Sequence, residues 1–128
     1  MKKIQSQIQA AISIARDNPN KFRLAAVGLD KKGRIISTGI NQKFQTHPVQ
    51  KKIAQRNGKP HSEYLHAEMS CILRSRQKIH TLIVVRLYAD GELAMAKPCK
   101  ICSWMIDKYK IPNLVYSNQY SKMTWEKR

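Results

Sequence analysis

The spacing of hydrophobic residues in the first third of the chain predicts one helix and one β-hairpin. Over residues 2–18 apolar side chains recur every three or four positions, which is typical of an amphipathic helix. This apolar stripe favours packing on a core over binding to a membrane surface. Residues 22–29 and 34–41 are rich in β-forming side chains and flank a glycine-containing turn, so they predict two antiparallel strands.

The last half of the chain predicts alternating helices and strands. Its apolar run over residues 81–87 is nearly continuous, as expected of a strand covered on both faces. The predicted elements are helices over 65–76 and 99–109, strands over 81–87 and 114–116, and short strands over 93–96 and 123–125. In the second helix we expect Trp104 to face the core. This order predicts a single domain over residues 1–128 with a three-layer α/β/α architecture.

A long basic segment separates the hairpin from this second half. Residues 42–64 contain several lysines and an arginine, with no acidic residue before Glu63. Connections of this length are uncommon unless they serve a function. Residues 49–55 could form a short helix, and His47 could line the mouth of a pocket or be an ordinary loop histidine.

Composition narrows the choice of partners. The chain has 24 lysines and arginines against 8 acidic residues, a formal net charge of +16, which favours a nucleic acid or a phosphorylated nucleotide as substrate. Three cysteines, an odd number, argue against a disulfide framework and for a reducing compartment. With no secretory or membrane-spanning run, we expect a cytoplasmic protein that does not bind membranes.

Two short motifs carry the candidate chemistry. His66-Ala67-Glu68 and Pro98-Cys99-Lys100-Ile101-Cys102 each stand at the start of a predicted helix. Side chains in the first turn of a helix lean toward its N-terminus, so two such helices can direct ligands to one point. One histidine and two cysteines would hold zinc with a fourth position open for water. Glu68 could then move protons without binding the metal.

These motifs resemble those of the zinc-dependent cytidine and deoxycytidylate deaminase superfamily, in which H-A-E precedes P-C-x-x-C. The resemblance implies a cytidine-deaminase-like fold with a mixed sheet of four to five strands. It implies zinc bound by His66, Cys99 and Cys102, and hydrolytic deamination at C4 of cytosine or C6 of adenine, with cytosine preferred. Glu68 would transfer the protons.

The same resemblance implies two substrate contacts. The backbone around Ala67 would form a wall of the base-binding site, and Asn41 would contact the sugar or the base. We also expect the segment between the strand at 81–87 and P-C-x-x-C to shape the substrate channel. Only a few residues follow the strand at 114–116, which favours a short antiparallel final strand as in free-nucleoside deaminases. Charge therefore favours a phosphorylated or polymeric substrate, whereas the final strand favours a free nucleoside.

Other functions remain open from the sequence. His61 could join the three ligands to close a structural zinc site, which would make the chain a non-catalytic nucleic-acid-binding module. Free deoxycytidylate or cytidine could be the substrate of an enzyme. A redox dithiol would leave Glu68 without a role, and Cys71 is expected to pack in the core. The oligomeric state is not predicted.

Overall fold

The computed structural model describes residues 2–41 and 66–128. A short 3-10 turn over Lys2–Ile4 leads into the first helix. The helices are α1 (Gln5–Arg16), α2 (Ala67–Arg74) and α3 (Lys100–Lys108), and the strands are β1 (Arg23–Leu29), β2 (Ile35–Ile40), β3 (Thr81–Leu87), β4 (Leu93–Ala94), β5 (Asn113–Ser117) and β6 (Met123–Lys127). Among the described residues, no helix is long and apolar enough to cross a membrane. The basic segment, with His47, His61 and the short helix expected at 49–55, lies outside them.

The strands form one mixed sheet in the order β2-β1-β3-β5-β6. Strand β4 is not part of this order and pairs with the C-terminal end of β3. Among the described strands only the β3–β5 pair is parallel, since α3 crosses between them. The final strand β6 runs antiparallel to β5, as expected from the short remaining chain. The sheet has six strands, one more than the upper expectation, because both short segments, β4 and β6, pair with it.

Helices cover both faces of the sheet. One face packs against α1 through a cluster that includes Ile8, Ala11 and Val27. The other packs against α2 and α3 through a cluster that includes Met69 and Met105. The three-layer arrangement is therefore confirmed, with strand β3 contributing alternate residues to each cluster.

The expectation for Trp104 is wrong. Its side chain is 42% exposed, and the ammonium group of Lys108 lies 5.2 Å from the ring centroid. Ile101, Met105 and Ile106 fill the buried stripe of α3, and a helix on a sheet presents only one such stripe to the core. Trp104 lies at the edge of that stripe, where its ring is partly exposed to solvent and makes a cation–π contact with Lys108.

A close contact between β2 and α2 positions the first motif. A Cβ atom built on Gly39 would lie 2.6 Å from both the Ala67 carbonyl oxygen and the Cys71 amide nitrogen. No side chain fits at that distance, so glycine is what allows α2 to approach the strand. The N-terminus of α2, which follows His66, is thereby held against the sheet near the end of β2.

Candidate functional site

The two motifs meet at the N-termini of two helices. His66 caps the start of α2 and Cys99 caps the start of α3, each in an extended backbone conformation. Cys102 lies in the first turn of α3 and is fully buried. The His66 Nδ1 atom is 3.3 Å from the Cys102 sulfur and 3.6 Å from the Cys99 sulfur. One imidazole nitrogen and two sulfurs therefore converge on one point.

This donor set fits zinc. All three ligand atoms lie within 4.8 Å of one another. Tetrahedral zinc, with bonds of about 2.3 Å to sulfur and about 2.0 Å to nitrogen, separates its ligand atoms by roughly 3.5–3.8 Å. The 3.6 Å distance from His66 Nδ1 to the Cys99 sulfur lies within that range, and the 3.3 Å distance to the Cys102 sulfur is slightly shorter. Among the described residues these are the only three that group in this way.

Electrostatics prepares the cysteines as ligands. The pKa of Cys99 is lowered to about 3, first by a hydrogen bond from the Cys102 thiol and then by His66. The pKa of Cys102 is raised instead, because its thiol donates to Cys99 and because it is buried. The pair thus holds a single proton, which a metal ion would displace. Burial lowers the pKa of His66, but the Cys99 thiolate outweighs this and the net pKa is raised.

Glu68 stands beside this cluster in the first turn of α2. Glu68 is only 4% exposed, and this burial raises the pKa of its carboxyl group. It also interacts with the Cys102 thiol by a hydrogen bond. A buried carboxyl group with a raised pKa holds a proton more readily than a solvated carboxylate does, which suits it to proton transfer.

The cluster forms one end of a pocket of about 390 Å³. That volume is within the range of roughly 300–1,000 Å³ that is usual for small-molecule sites. The pocket is lined by Phe22, Leu24, Asn41, His66, Ala67, Glu68, Arg86, Met95, Ala96, Lys97 and Cys99. Five of the seven candidate site residues therefore line the pocket. Cys102 lies behind the wall as a buried ligand, and His47 is outside the described residues.

Asn41 faces this pocket in a fixed orientation. The buried Asn18 side chain accepts from the Asn20 backbone amide and donates to the Leu24 carbonyl, which determines the orientation of its amide. Asn18 Nδ2 then donates to Asn41 Oδ1 at 2.7 Å, and the Leu24 backbone amide donates to the same oxygen at 3.2 Å. Since Asn41 Oδ1 is occupied by two donors, its Nδ2 group is the part available to a ligand.

Several lining residues were missed by the sequence analysis. Phe22 and Leu24 come from the start of β1, Arg86 from β3, and Met95 and Lys97 from the segment that follows β4. Arg86 did carry a signal, because it is the one charged residue within an otherwise apolar strand. Met95 and Lys97 were indicated only as part of the segment before P-C-x-x-C, and Phe22 and Leu24 gave no signal, since their proximity depends on the order of strands in the sheet. The segment before P-C-x-x-C lines the pocket, as expected.

The third cysteine has no part in the site. Cys71 is fully buried in the core between α2 and the sheet, and burial raises the pKa of its thiol to about 12. Such a thiol is unreactive and is not a metal ligand at neutral pH. The expectation that Cys71 packs in the core is confirmed.

The comparisons with known proteins agree with this geometry. The family model described as the cytidine and deoxycytidylate deaminase zinc-binding region matches residues 1–118. A comparison with curated proteins finds no significant match.

Three solved structures are similar in fold. The apo dCMP deaminase of cyanophage S-TIM5 has a TM-score of 0.55 and 19% identity, covering 90% of this chain and 85% of its own. The same enzyme in complex with dCMP and dUMP has a TM-score of 0.58 and 19% identity, covering 91% and 81%. The cytidine deaminase of Mycobacterium leprae has a TM-score of 0.56 and 18% identity, covering 92% and 88%. The cytidine-deaminase-like fold is thus confirmed.

Proposed function

Because the chain belongs to the cytidine and deoxycytidylate deaminase family and is a zinc-dependent deaminase, we propose that it converts cytosine to uracil in a phosphorylated nucleotide or a nucleic acid. We assign this activity to one domain over residues 1–128. The observation that carries the proposal is the convergence of His66, Cys99 and Cys102 beside the buried Glu68 at the end of a pocket.

Each side chain at this end of the pocket has a distinct role. His66, Cys99 and Cys102 would hold the zinc ion, which when bound supplies a water whose pKa is lowered to about 7. Glu68 Oε would take a proton from the attacking water and deliver it to N3 of the ring as the oxygen bonds to C4. It would then take the proton of the new C4 hydroxyl group and deliver it to the amine, which leaves as ammonia while the C4 carbonyl forms. Burial of Glu68 excludes bulk water from the transfer, so the proton stays between carboxyl and substrate.

The upper part of the pocket orients the substrate. Ala67 is buried in the wall, where its backbone would support the base. Asn41 would donate from Nδ2 to an acceptor on the base or the sugar, since its Oδ1 is already held by Asn18 and Leu24. His47, although outside the described residues, belongs to the same proposal as a residue of the pocket mouth.

The Asn41→Asp variant tests the donor role. Aspartate can still accept the hydrogen bonds from Asn18 and Leu24, so the fold should be kept. It presents an acceptor to the pocket in place of a donor, and we expect KM to rise about ten- to a hundredfold with a smaller change in kcat. Steady-state kinetics and thermal unfolding measure the two effects.

A matched control for that variant is Asn118→Asp. Asn118 also accepts backbone amides through Oδ1 and donates through Nδ2 to the Thr124 hydroxyl, but it does not line the pocket. Its KM should equal that of the unaltered protein. Equal KM values for Asn41→Asp and Asn118→Asp would contradict a substrate contact by Asn41.

The substrate class is the least determined part of the proposal. The net charge of +16 and the dCMP and dUMP complex of the S-TIM5 enzyme support a phosphate-bearing substrate. The antiparallel β6 strand and the likeness to a cytidine deaminase support the alternative, a free nucleoside or nucleotide. The non-catalytic module with a structural zinc is the alternative of another class.

A substrate panel tests the proposal directly. The purified protein is incubated with cytidine, dCMP, single-stranded DNA and RNA, and uracil and inosine are measured by chromatography. We expect uracil from at least one phosphate-bearing substrate and no inosine. Polymer binding should weaken steeply from low to high salt, because released counterions drive it. Absence of uracil from every substrate would refute the proposal.

A further inference from the structure

We propose that Arg86 and Lys97 form a phosphate-binding subsite in the wall of the pocket, and that it receives the monoester phosphate of a free cytidine nucleotide. This inference rests on the proposed function and narrows its substrate class. Both residues line the same pocket as Glu68 and the metal ligands. A substrate with its base at the zinc end can therefore reach them with the other end of the molecule.

Arg86 is held ready for an anion. It is the only charged residue in β3, whose other side chains are buried. Its guanidinium carbon lies 5.5 Å from the ring centroid of Phe22, which is a cation–π contact. A contact of this kind leaves N–H groups of the guanidinium free to bind a planar or tetrahedral oxyanion.

No carboxylate competes for that arginine within residues 2–41 and 66–128. The ion pairs found there are those of Asp30 with Arg34, and of Asp107 and Glu126 with Arg128. Among the described residues that line the pocket, Glu68 is the only acidic one, and it lies in the metal cluster beside His66. Among the described residues Arg86 therefore has no carboxylate partner, and its N–H groups can donate to an anion in the pocket.

Lys97 follows a segment, residues 94–96, that is fixed by hydrogen bonds to Ser117. The buried Ser117 hydroxyl donates to the Ala94 carbonyl at 2.6 Å and accepts from the Arg86 backbone amide at 3.1 Å. The Ser117 carbonyl accepts from the Ala96 amide at 2.8 Å. These three bonds join β3, β4 and β5, and they fix the chain on either side of Met95. Ser117 therefore bonds the backbone of Arg86 and that of Ala96, the residue before Lys97.

The charge of this subsite favours a monoester over a diester. A phosphate monoester carries about −1.5 to −2 at neutral pH, whereas a backbone diester carries a single negative charge. Two cations with no acidic partner in the described part of the pocket match the dianion. A nucleoside, which has no phosphate, would leave both cations unsatisfied.

The test compares substrates that differ only in phosphate. Arg86→Gln and Lys97→Gln are assayed with dCMP, deoxycytidine and a single-stranded oligonucleotide with one cytosine. We expect kcat/KM for dCMP to fall about ten- to a hundredfold, mainly through KM, and that for deoxycytidine to stay unchanged. Calorimetric binding of dUMP should weaken by a similar factor while binding of deoxyuridine does not, which gives a readout independent of turnover.

Arg16→Gln is the matched control, because Arg16 is exposed at the end of α1 on the opposite face of the sheet. This variant should leave kcat/KM for dCMP, deoxycytidine and the oligonucleotide unchanged. If Arg86→Gln and Lys97→Gln lowered kcat/KM equally for dCMP and deoxycytidine, or lowered it for neither, the phosphate-binding subsite would be wrong. An equal loss for dCMP and the oligonucleotide would overturn the monoester assignment.

Failure of the proposed function gives a different pattern. In that case the unaltered protein deaminates neither dCMP nor deoxycytidine, yet it binds dUMP more tightly than deoxyuridine and loses this preference in Arg86→Gln. If instead it deaminates both substrates equally well and Arg86→Gln changes nothing, the function stands and the subsite is wrong.

Discussion

The Glu68→Gln variant should lose deaminase activity by about a hundred- to ten-thousandfold in kcat while it keeps its zinc. Glutamine occupies the same buried space beside Cys102 but cannot accept and return a proton. The three metal ligands are untouched, so the metal content should stay at about one zinc per chain. Single-turnover kinetics on the best substrate of the panel and atomic absorption measure the two quantities.

Glu92→Gln is the control for this change. Glu92 is an exposed carboxylate in the turn between β3 and β4, so its replacement removes the same charge without reaching the pocket. It should keep full activity. If Glu68→Gln retained all function, the zinc would be structural and the chain would be the nucleic-acid-binding module considered as an alternative. Within the described residues three ligands converge, and His61, the fourth ligand of the closed-site alternative, lies outside those residues.

Much of the fold could be predicted because its signals are local. The run at 81–87 became strand β3 without a change of bounds, since an apolar β-rich segment of that length has few alternatives. The helix predicted at 99–109 became α3 over Lys100–Lys108, because Pro98 and Cys99 mark its start and the apolar spacing its length. The metal cluster was predictable for the same reason, as each motif lies at one helix start.

Features that depend on distant pairing could not be predicted. Phe22 and Arg86 meet because β1 pairs with β3, where Leu24 lies opposite Arg86. Nothing in either segment alone specifies that pairing. Trp104 shows a second limit: the apolar residues of α3 cover more of its circumference than the sheet can bury, and periodicity does not choose among them.

The asparagine network shows how the fold itself assigns a function to a residue. Asn18, just after α1, is 3% exposed and holds the loop between α1 and β1 to Asn41. A buried amide must satisfy its donors and its acceptor. Because Asn18 donates to Asn41 Oδ1, the Nδ2 group of Asn41 at the end of β2 is left to face the pocket. The residue that follows α1 thereby determines which hydrogen-bonding group the pocket presents.

Zinc should also contribute to the stability of the fold, because its ligands join two elements that otherwise touch little. His66 belongs to the start of α2, whereas Cys99 and Cys102 belong to the start of α3. Without a metal ion the two sulfurs share one proton and one imidazole contact. A ligand that binds only the native state stabilises it by mass action, and the unfolded chain cannot bring these three residues together with the same affinity.

Removal of zinc with a chelator should therefore lower the unfolding temperature by about 10 °C, and added zinc should restore it. Free zinc at a hundredfold excess over Kd stabilises by about 2.7 kcal/mol, which corresponds to a shift of that order for a domain of this size. Differential scanning calorimetry measures the shift without reference to activity. Cys102→Ser should lose the zinc-dependent shift, whereas Cys71→Ala, which removes a fully buried thiol outside the cluster, should unfold earlier but keep it. An unaltered protein that unfolds at one temperature with and without zinc would show that the metal does not bind this cluster.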